Sequence, residues 1–398
     1  MSGIDPARLE RLSTHFDRYV EDGRLPGWLA VVHRDGETHT ECSGRRDIDA
    51  GAPVEEDTLW RIYSMTKPIT SVAAMMLWEE GHFELKDPIA RWLPEFADMR
   101  VFRGGAMAKV VTEPALEPIT VWNLLTHTSG LTYGFHHTHP VDALYRERGF
   151  EWASPPGLDL TACCAEWARL PLLFQPGTEW NYGVSTDVLG RLVEVISSQS
   201  LDEFFAARVL GPLGMVETGF SAREADHGRL AALYTPDPET GRATRSPMSV
   251  AAMRPPEFLS GGGGLVSSAA DYLRFTRMLL GGGELDGVRL LSPRTLRLMA
   301  SNQLPGHADL EAFGRPLFSE TTFDGVGFGL GFSVVEDPVA GRYPSSAGEF
   351  AWGGAASTAF WVDPAERMVV LFFTQLLPSS TYPIRSQLHQ LVHQALVD

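Results

Sequence analysis

The pattern of hydrophobic and polar residues divides the chain into three regions. An amphipathic segment at residues 1–23 precedes two strand-like runs within residues 27–44, and the turn signal Asp35-Gly36 between these runs predicts a hairpin. The middle region, from about Lys86 to Leu259, is rich in Pro, Gly and helically spaced apolar residues. The last third returns to strand-like runs and ends in a predicted helix, so strands are expected at both ends of the chain.

The C-terminal runs are joined by short connections, among them a turn predicted at residues 363–366, and short connections favour antiparallel pairing. We therefore expect an α+β fold in which one antiparallel sheet, built from both termini, is flanked by helices. The expected sheet domain is discontinuous, at residues 1–85 and 261–398. A mostly helical domain at residues 86–260 is inserted into it, and the active site is expected in the cleft between the two domains.

The stretch from Met65 to Glu80 reads as a buried helix that begins next to Ser64 and ends at Gly81. It carries Lys67, one of three lysines in a chain with thirty arginines. Residues three apart share a helix face, so the amine and the Ser64 hydroxyl are expected to face one cleft. A desolvated lysine can become neutral and accept a proton, which a guanidinium cannot, and this favours a Ser-x-x-Lys nucleophile. The alternative is a structural helix with an incidental serine and lysine.

The composition excludes several classes of partner. A net charge of −17 and a pI near 5.1 disfavour nucleic acid and anionic membranes, which bind clustered Lys and Arg. No run approaches the ~20 apolar residues that span a bilayer, and the N-terminus lacks the apolar core of a signal peptide. A cytoplasmic protein is expected. The three cysteines, Cys42, Cys163 and Cys164, are expected to be reduced, and none has an evident histidine partner for nucleophilic catalysis.

Three motifs occur in an order that resembles serine β-lactamases and penicillin-binding proteins, most closely class C: Ser64-x-x-Lys67, Tyr182 in PGTEWNYGV, and Trp352-Gly353-Gly354. The segments LLTHTSGL, GGGGLVSSAADYLRF and GFGLGFSV are also similar to that superfamily, so the resemblance covers nearly the whole chain. Two departures are informative, because class C enzymes carry Tyr-x-Asn and Lys-Thr-Gly at the second and third motifs. Both changes are similar to family VIII carboxylesterases.

The resemblance implies a mechanism. Ser64 would attack an ester carbonyl, Lys67 and Tyr182 would act as a coupled general base and acid, and the backbone N–H groups of Ser64 and Ala355 would form the oxyanion hole. An indole at Trp352 would replace the β-lactamase cation that binds a carboxylate, which favours small, mostly neutral esters. Trp352, Gly353, Gly354 and Tyr133 are expected to line the substrate site.

Other interpretations remain open at this stage. Tyr182 and Trp352 could be core residues, and Tyr133 could be an exposed loop aromatic. Hydrolysis of β-lactams, D-amino-acid peptide or amide hydrolysis, and acyl transfer to another acceptor use the same machinery. A non-catalytic binding protein with this fold is the alternative from a different class. The expected partner is a small-molecule ester, and the sequence does not predict an oligomeric state.

No metal or cofactor is expected from the sequence. His136, His137 and His139 cluster in FHHTHP, and His389 and His393 are four apart on the last helix, but neither group has a carboxylate or cysteine in a known ligand pattern. The glycines at residues 261–264 lack a Walker lysine and dinucleotide spacing. The chain has no G-x-S-x-G, which excludes the α/β-hydrolase nucleophile motif.

Overall fold

The computed structural model describes residues 3–106, 109–152, 154–315 and 323–398. The α-helices are α1 Pro6–Glu21, α2 Thr66–Glu79, α3 Val121–Leu125, α4 Pro140–Glu147, α5 Leu160–Trp167, α6 Ser185–Ser197, α7 Leu201–Phe205, α8 Ala269–Leu280, α9 Pro293–Met299, α10 Leu310–Phe313, α11 Pro338–Gly341 and α12 Ile384–His393. The strands are β1 Gly27–Arg34, β2 Glu37–Asp47, β3 Ala52–Pro53, β4 Leu59–Arg61, β5 Arg100–Ala106, β6 Lys109–Pro114, β7 Tyr234–Pro236, β8 Ala243–Arg245, β9 Val266–Ser268, β10 Glu284–Leu285, β11 Val288–Arg289, β12 Val326–Phe328, β13 Ser333–Val335, β14 Phe350–Gly353, β15 Ala359–Asp363 and β16 Met368–Phe373.

A large antiparallel sheet joins the two ends of the chain. Its strand order is β12-β13-β14-β15-β16-β1-β2-β3. The N-terminal strand β1 pairs with the C-terminal strand β16 over Leu29–Phe373 to Arg34–Met368, and with β2 on its other side. Every residue of β1 and of β16 is buried, as expected for strands covered on both faces. The prediction of one sheet assembled from both termini is confirmed.

Side chains that alternate along strand β1 contribute to two apolar cores, one on each face of the sheet. Leu29 and Val31 of β1 belong to the main core, which includes residues of α2 and α8. Trp28, Ala30 and Val32 of the same strand face a second core with residues of α1 and α12. The sheet therefore lies between two helical layers, and α12 covers the face opposite to α2.

Local signals in the sequence explain several boundaries. The β1–β2 turn has positive φ at Asp35 (52°) and Gly36 (84°), the conformation that Asp-Gly favours in two-residue hairpins. Ser268 caps α8 by accepting a hydrogen bond from the Asp271 N–H at 3.3 Å. Helix α2 runs one residue shorter at each end than predicted, because Met65 belongs to the preceding 3₁₀ turn Tyr63–Met65 and Glu80 is the C-cap.

The middle region carries α3 to α7, but it also contains the hairpins β5–β6 and β7–β8. Tyr234 of β7 belongs to the core on the α1 and α12 side of the sheet, so part of this region packs against the sheet domain. The division at residues 86–260 stays a prediction. In the described ranges, no helix has both the length and the apolar character needed to cross a bilayer.

Candidate active site

Ser64 lies in a short, sterically constrained turn between strand β4 and helix α2. The 3₁₀ turn Tyr63–Met65 joins these elements, and Tyr63 adopts φ 45°, the left-handed region that L-residues seldom occupy. Such strain persists only where the surroundings hold it in place. Helix α2 supplies that support, because twelve of its fourteen residues are buried. The turn therefore holds the Ser64 hydroxyl at the N-terminal end of a rigid helix.

Lys67, on the first turn of α2, is 1% exposed and has three hydrogen-bond partners. Its Nζ lies 3.2 Å from Ser64 Oγ, 3.1 Å from Tyr133 Oη and 2.6 Å from the carbonyl oxygen of Gly262. An ammonium group has three N–H donors, so in its charged form every donor of Lys67 has an acceptor.

The same three contacts also suit the neutral amine. A carbonyl oxygen can only accept, so Gly262 takes one N–H, and Tyr133 Oη takes the second. The lone pair of the amine then faces Ser64 Oγ, which donates its own hydrogen. Protonated and neutral Lys67 thus keep the same set of partners, and a proton can pass between Ser64 and Lys67 without rearrangement of the neighbouring groups.

Tyr182 lies beside this pair on the segment that leads into α6. Lys67 Nζ is 4.4 Å from the centroid of the Tyr182 ring, and the Tyr182 hydroxyl accepts a hydrogen bond from Trp352 Nε1 at 3.3 Å. Tyr182 and Trp352 are each 9% exposed, and their rings pack at 5.3 Å. The Trp352 indole is therefore a wall of the cleft as well as a hydrogen-bond donor to Tyr182.

Tyr133 contacts Lys67 more directly than Tyr182 does. Burial, together with the nearby Asp187 carboxylate, raises the pKa of Tyr133 well above its usual value. Its phenol stays protonated at neutral pH and serves as an acceptor for Lys67. Burial also raises the pKa of Asp187, and the nearby Lys67 charge opposes this rise.

Asp187, on the first turn of α6, holds the glycine-rich loop against Lys67. Its Oδ1 accepts hydrogen bonds from Ser260 Oγ at 2.6 Å and from the Gly262 N–H at 2.9 Å. A Cβ at Gly262 would lie 2.5 Å from Asp187 Oδ2, so only glycine fits. The loop carries no phosphate motif, and in this fold its Gly262 carbonyl instead accepts a hydrogen bond from Lys67.

Strand β14 brings Ala355 to the opposite side of Ser64. Gly354 follows the strand, and a Cβ there would lie 2.2 Å from Thr358 Oγ1 and 2.5 Å from the Ile62 carbonyl oxygen, so the close approach of the backbone requires glycine. The backbone N–H groups of Ser64 and Ala355 have no acceptor among the described residues. Both residues line the same cleft.

Two cavities meet at Ser64. The larger has a volume of about 410 Å³ and the smaller about 140 Å³. Both are lined by Ser64, Phe135, Trp152 and Ala355, while Tyr133 lines the larger and Tyr182, Trp352 and Gly353 line the smaller. The aromatic lining suits apolar groups on either side of a bond positioned at Ser64.

The structure brings together all the residues that the sequence singled out for catalysis or substrate binding: Ser64, Lys67, Tyr133, Tyr182, Trp352, Gly353, Gly354 and Ala355. Their chemical roles stay predictions. Sequence reasoning missed the hydrogen bond between Lys67 and Tyr133, the Asp187–Gly262 contact and the strained Tyr63. The run of four glycines was the available signal for a backbone that closely approaches another group.

The histidines of FHHTHP have separate structural partners. His136 Nε2 lies 2.7 Å from the Tyr182 carbonyl oxygen. His139 accepts a hydrogen bond from the Val141 N–H and caps α4, and His137 lies 3.1 Å from Glu151.

Comparisons with known proteins agree with this geometry. The Beta-lactamase family model matches residues 12–394. Protein Rv1367c of Mycobacterium tuberculosis is 43% identical over 361 residues, which cover 89% of this chain and 87% of that protein. Esterase EstB of Burkholderia gladioli is 34% identical over 394 residues, covering 93% of this chain and 91% of EstB.

Among solved structures, EstCE1, described as a hydrolase with promiscuous acyltransferase activity, superposes with a TM-score of 0.79 at 27% identity and covers 98% of both chains. The resemblance to family VIII carboxylesterases is confirmed. The chain belongs to the beta-lactamase family, and within it this protein is a serine hydrolase of the ester hydrolase and acyltransferase group.

Proposed function

We propose that this protein hydrolyses small, mostly neutral carboxylic esters through an acyl-enzyme on Ser64. The observation that carries the proposal is the position of Ser64 Oγ, 3.2 Å from Lys67 Nζ and at the junction of two aromatic cavities. Esterase EstB is, by its name, an ester hydrolase, and this supports the same activity here.

In the acylation step, neutral Lys67 accepts the Ser64 proton as Oγ bonds to the ester carbonyl carbon. The carbonyl oxygen becomes an oxyanion that the N–H groups of Ser64 and Ala355 stabilise. The tetrahedral intermediate then expels the alkoxide, which takes a proton and leaves as the alcohol. Tyr182 is assigned to deliver that proton, because it lies over Lys67 on the side of Trp352.

In the deacylation step, the proton transfers of acylation run in the opposite direction. Water replaces the alcohol, gives a proton to the Lys67 and Tyr182 pair, and bonds to the acyl carbon. Collapse of the second tetrahedral intermediate returns the proton to Ser64 Oγ and releases the carboxylic acid. The complete reaction consumes one ester and one water molecule and releases one carboxylic acid and one alcohol.

The preference for neutral esters is assigned to Trp352. An indole at this position offers an apolar face, and its N–H is already donated to Tyr182. A carboxylate at this wall would lose water without gaining a cation, which is unfavourable for carboxylated β-lactams. The aromatic cavities favour apolar acyl and alcohol groups.

Two experiments test the proposal. A p-nitrophenyl ester series of increasing chain length is measured beside a chromogenic cephalosporin, and we expect the esters to have the higher kcat/KM. An organophosphonate should add one mass increment to the native protein and none to Ser64→Ala. A higher kcat/KM for the cephalosporin would contradict the substrate class, and labelling of Ser64→Ala would contradict the nucleophile.

Acyl transfer to an alcohol is a second candidate activity. The specific observation in its favour is the pair of cavities, since one can hold the acyl group while the other holds an acceptor that competes with water. EstCE1, whose description includes acyltransferase activity, supports it. Adding a small alcohol to the p-nitrophenyl ester assay should yield the new ester in proportion to alcohol concentration. Release of free acid alone at every alcohol concentration would exclude transfer to such acceptors.

A further inference from the structure

A second cluster of buried polar groups lies at the opposite end of strand β14 from Ala355. Glu349 precedes β14, Asp363 ends β15, and His389 and His393 lie on α12; these four residues are called the Glu349 cluster below. Glu349 is 1% exposed and Asp363 0%. Trp361 stacks on His389 at 3.9 Å between ring centroids. Glu349, Trp361 and His389 also line the smaller cavity, at a distance along the chain and the strand from Ser64 and Lys67.

Glu349 and His389 form one unit that shares a proton. His389 Nδ1 lies 2.9 Å from the Arg385 carbonyl oxygen, which can only accept, so Nδ1 carries a hydrogen. His389 Nε2 lies 2.9 Å from Glu349 Oε1. This hydrogen bond occupies Oε1 of Glu349 and leaves Oε2 as its other carboxylate oxygen.

His393 contributes a ring nitrogen to the Glu349 cluster. Its Nδ1 lies 3.0 Å from the His389 carbonyl oxygen and so carries the ring hydrogen. Nε2 is therefore the ring nitrogen that is left to coordinate a metal ion. No described residue makes a hydrogen bond with this Nε2.

Two carboxylate oxygens lie close to the His393 lone pair. Asp363 Oδ1 accepts the N–H groups of Ala365 and Glu366 at 2.9 and 3.1 Å, whereas Asp363 Oδ2 and Glu349 Oε2 are buried without a donor among the described residues. One nitrogen and two oxygens, from His393, Asp363 and Glu349, all lie within 4.8 Å of one another. These three polar atoms converge without a hydrogen-bond partner among the described residues, an arrangement that is costly unless a cation lies between them.

We propose that Glu349, Asp363 and His393 bind one divalent transition-metal ion, with Zn²⁺ as the best match. One imidazole nitrogen with two carboxylate oxygens is a ligand set that suits Zn²⁺, whereas Ca²⁺ and Mg²⁺ take oxygen ligands. Zn²⁺ bonds of about 2.0–2.2 Å require the three atoms to move closer together on binding. His393, partly buried on the last helix, is the ligand with room to do so.

Such an ion would act structurally. It would add a link among β14, β15 and α12, which are also connected by the β14–β15 ladder, the Glu349–His389 hydrogen bond and the Trp361–His389 stack. Strand β14 continues into Gly354 and Ala355, so the ion would stabilise the strand that carries one side of the active site. Because the ligands are distinct from Ser64 and Lys67, failure of this proposal would leave the proposed function intact.

The test uses the full-length protein stripped with a chelator and titrated with Zn²⁺ against a chromophoric competitor. We expect one Zn²⁺ per chain and a rise in melting temperature with added Zn²⁺. Co²⁺ in place of Zn²⁺ should give visible ligand-field absorption, which does not depend on enzyme activity. Saturating Ca²⁺ or Mg²⁺ should give a much smaller thermal shift.

Two variants assign the site. Asp363→Asn can keep Oδ1 as the acceptor of the turn and replaces only Oδ2, and His393→Asn removes the nitrogen ligand at the rim if Asp363→Asn folds poorly. Each should weaken Zn²⁺ binding at least about tenfold and abolish the Co²⁺ bands. The matched control is His137→Asn, which removes an exposed histidine 3.1 Å from Glu151 and should change neither readout. Absence of stoichiometric binding to the native protein, or unchanged binding in both site variants, would overturn the proposal.

Discussion

Two buried polar clusters on either side of strand β14 differ in how their hydrogen bonds are matched. Around Lys67, the amine has three partners, Ser64, Tyr133 and Gly262, and the same contacts suit its charged and neutral forms. In the Glu349 cluster, Glu349 Oε2, Asp363 Oδ2 and His393 Nε2 have no donor among the described residues. The first cluster can move a proton without rearranging, whereas the second is complete only with a cation.

The difference teaches that burial alone does not identify a catalytic group. Both clusters contain titratable side chains in low-dielectric surroundings, where unmatched groups are unfavourable and matched networks are rigid. Changes around Lys67 should lower the reaction rate with little effect on folding. Changes in the Glu349 cluster should act on metal affinity and stability. The following predictions test the Lys67 side of this comparison.

The largest expected effect follows Lys67→Arg. The guanidinium keeps the positive charge but cannot become neutral near pH 7, so it can donate to Ser64 without accepting its proton. We expect kcat/KM for a p-nitrophenyl ester to fall about 10³-fold. Circular dichroism and the melting temperature check that the fold is retained. A variant with more than a tenth of the native rate would show that Lys67 is not the base.

The second prediction separates the two tyrosines. Tyr182→Phe should lower kcat/KM about 10²-fold, because the proposed proton donor is lost. Tyr133→Phe should lower it about tenfold, because Lys67 loses one acceptor of about 1.4 kcal/mol and keeps two. The two variants remove the same atom type from rings that both contact Lys67, so each is the control for the other. A reversed order would assign proton delivery to Tyr133.

The third prediction concerns the donor that holds the Tyr182 hydroxyl. Trp352→Phe removes the Nε1–H and should lower kcat/KM about three- to tenfold, the effect of one hydrogen bond. Trp180→Phe is the matched control: its indole also packs against Tyr182, at 6.2 Å, but no described residue accepts from its Nε1. Equal losses in the two variants would show that packing, not the hydrogen bond, positions Tyr182.

Much of the Lys67 cluster could be predicted from sequence because its key spacing is local. Lys67 follows Ser64 by three residues, from the 3₁₀ turn into the first turn of α2, and the Asp35-Gly36 turn likewise carries its own conformational signal. The third partner of Lys67 could not be predicted in this way. Gly262 is 195 residues away, and its position depends on how Asp187 holds the glycine loop.

The Glu349 cluster shows more clearly which contacts cannot be predicted from the sequence. From sequence, His389 and His393 lacked a carboxylate at ligand spacing, and no metal was expected. Glu349 and Asp363 reach these histidines only because β14 pairs with β15 and α12 packs across the outer face of the sheet. Strand register and helix packing, rather than local spacing, bring these ligands together.

The smallest expected effect concerns His127, which packs 5.1 Å from the Tyr182 ring and whose Nδ1 has no partner among the described residues. Burial, together with the Lys67 charge, lowers its pKa well below the usual 6.5. Below pH 6.5 the unfolded chain binds a proton that the folded chain excludes, so the stability contribution present above pH 6.5 is lost as the pH falls. The loss reaches at most about 1.4 kcal/mol per pH unit.

His127→Asn should therefore flatten the dependence of unfolding free energy on pH between pH 6.5 and about 5, measured by urea denaturation. Asparagine tolerates the positive φ of 55° at this position. His307→Asn is the control, because His307 has a similar φ of 56° but an 83% exposed side chain, and it should leave the slope unchanged. An unchanged slope in His127→Asn would mean that the His127 imidazole can be protonated in the folded protein. The Lys67 cluster would then have a second positive charge beside it, and its hydrogen bonds would not be fully matched.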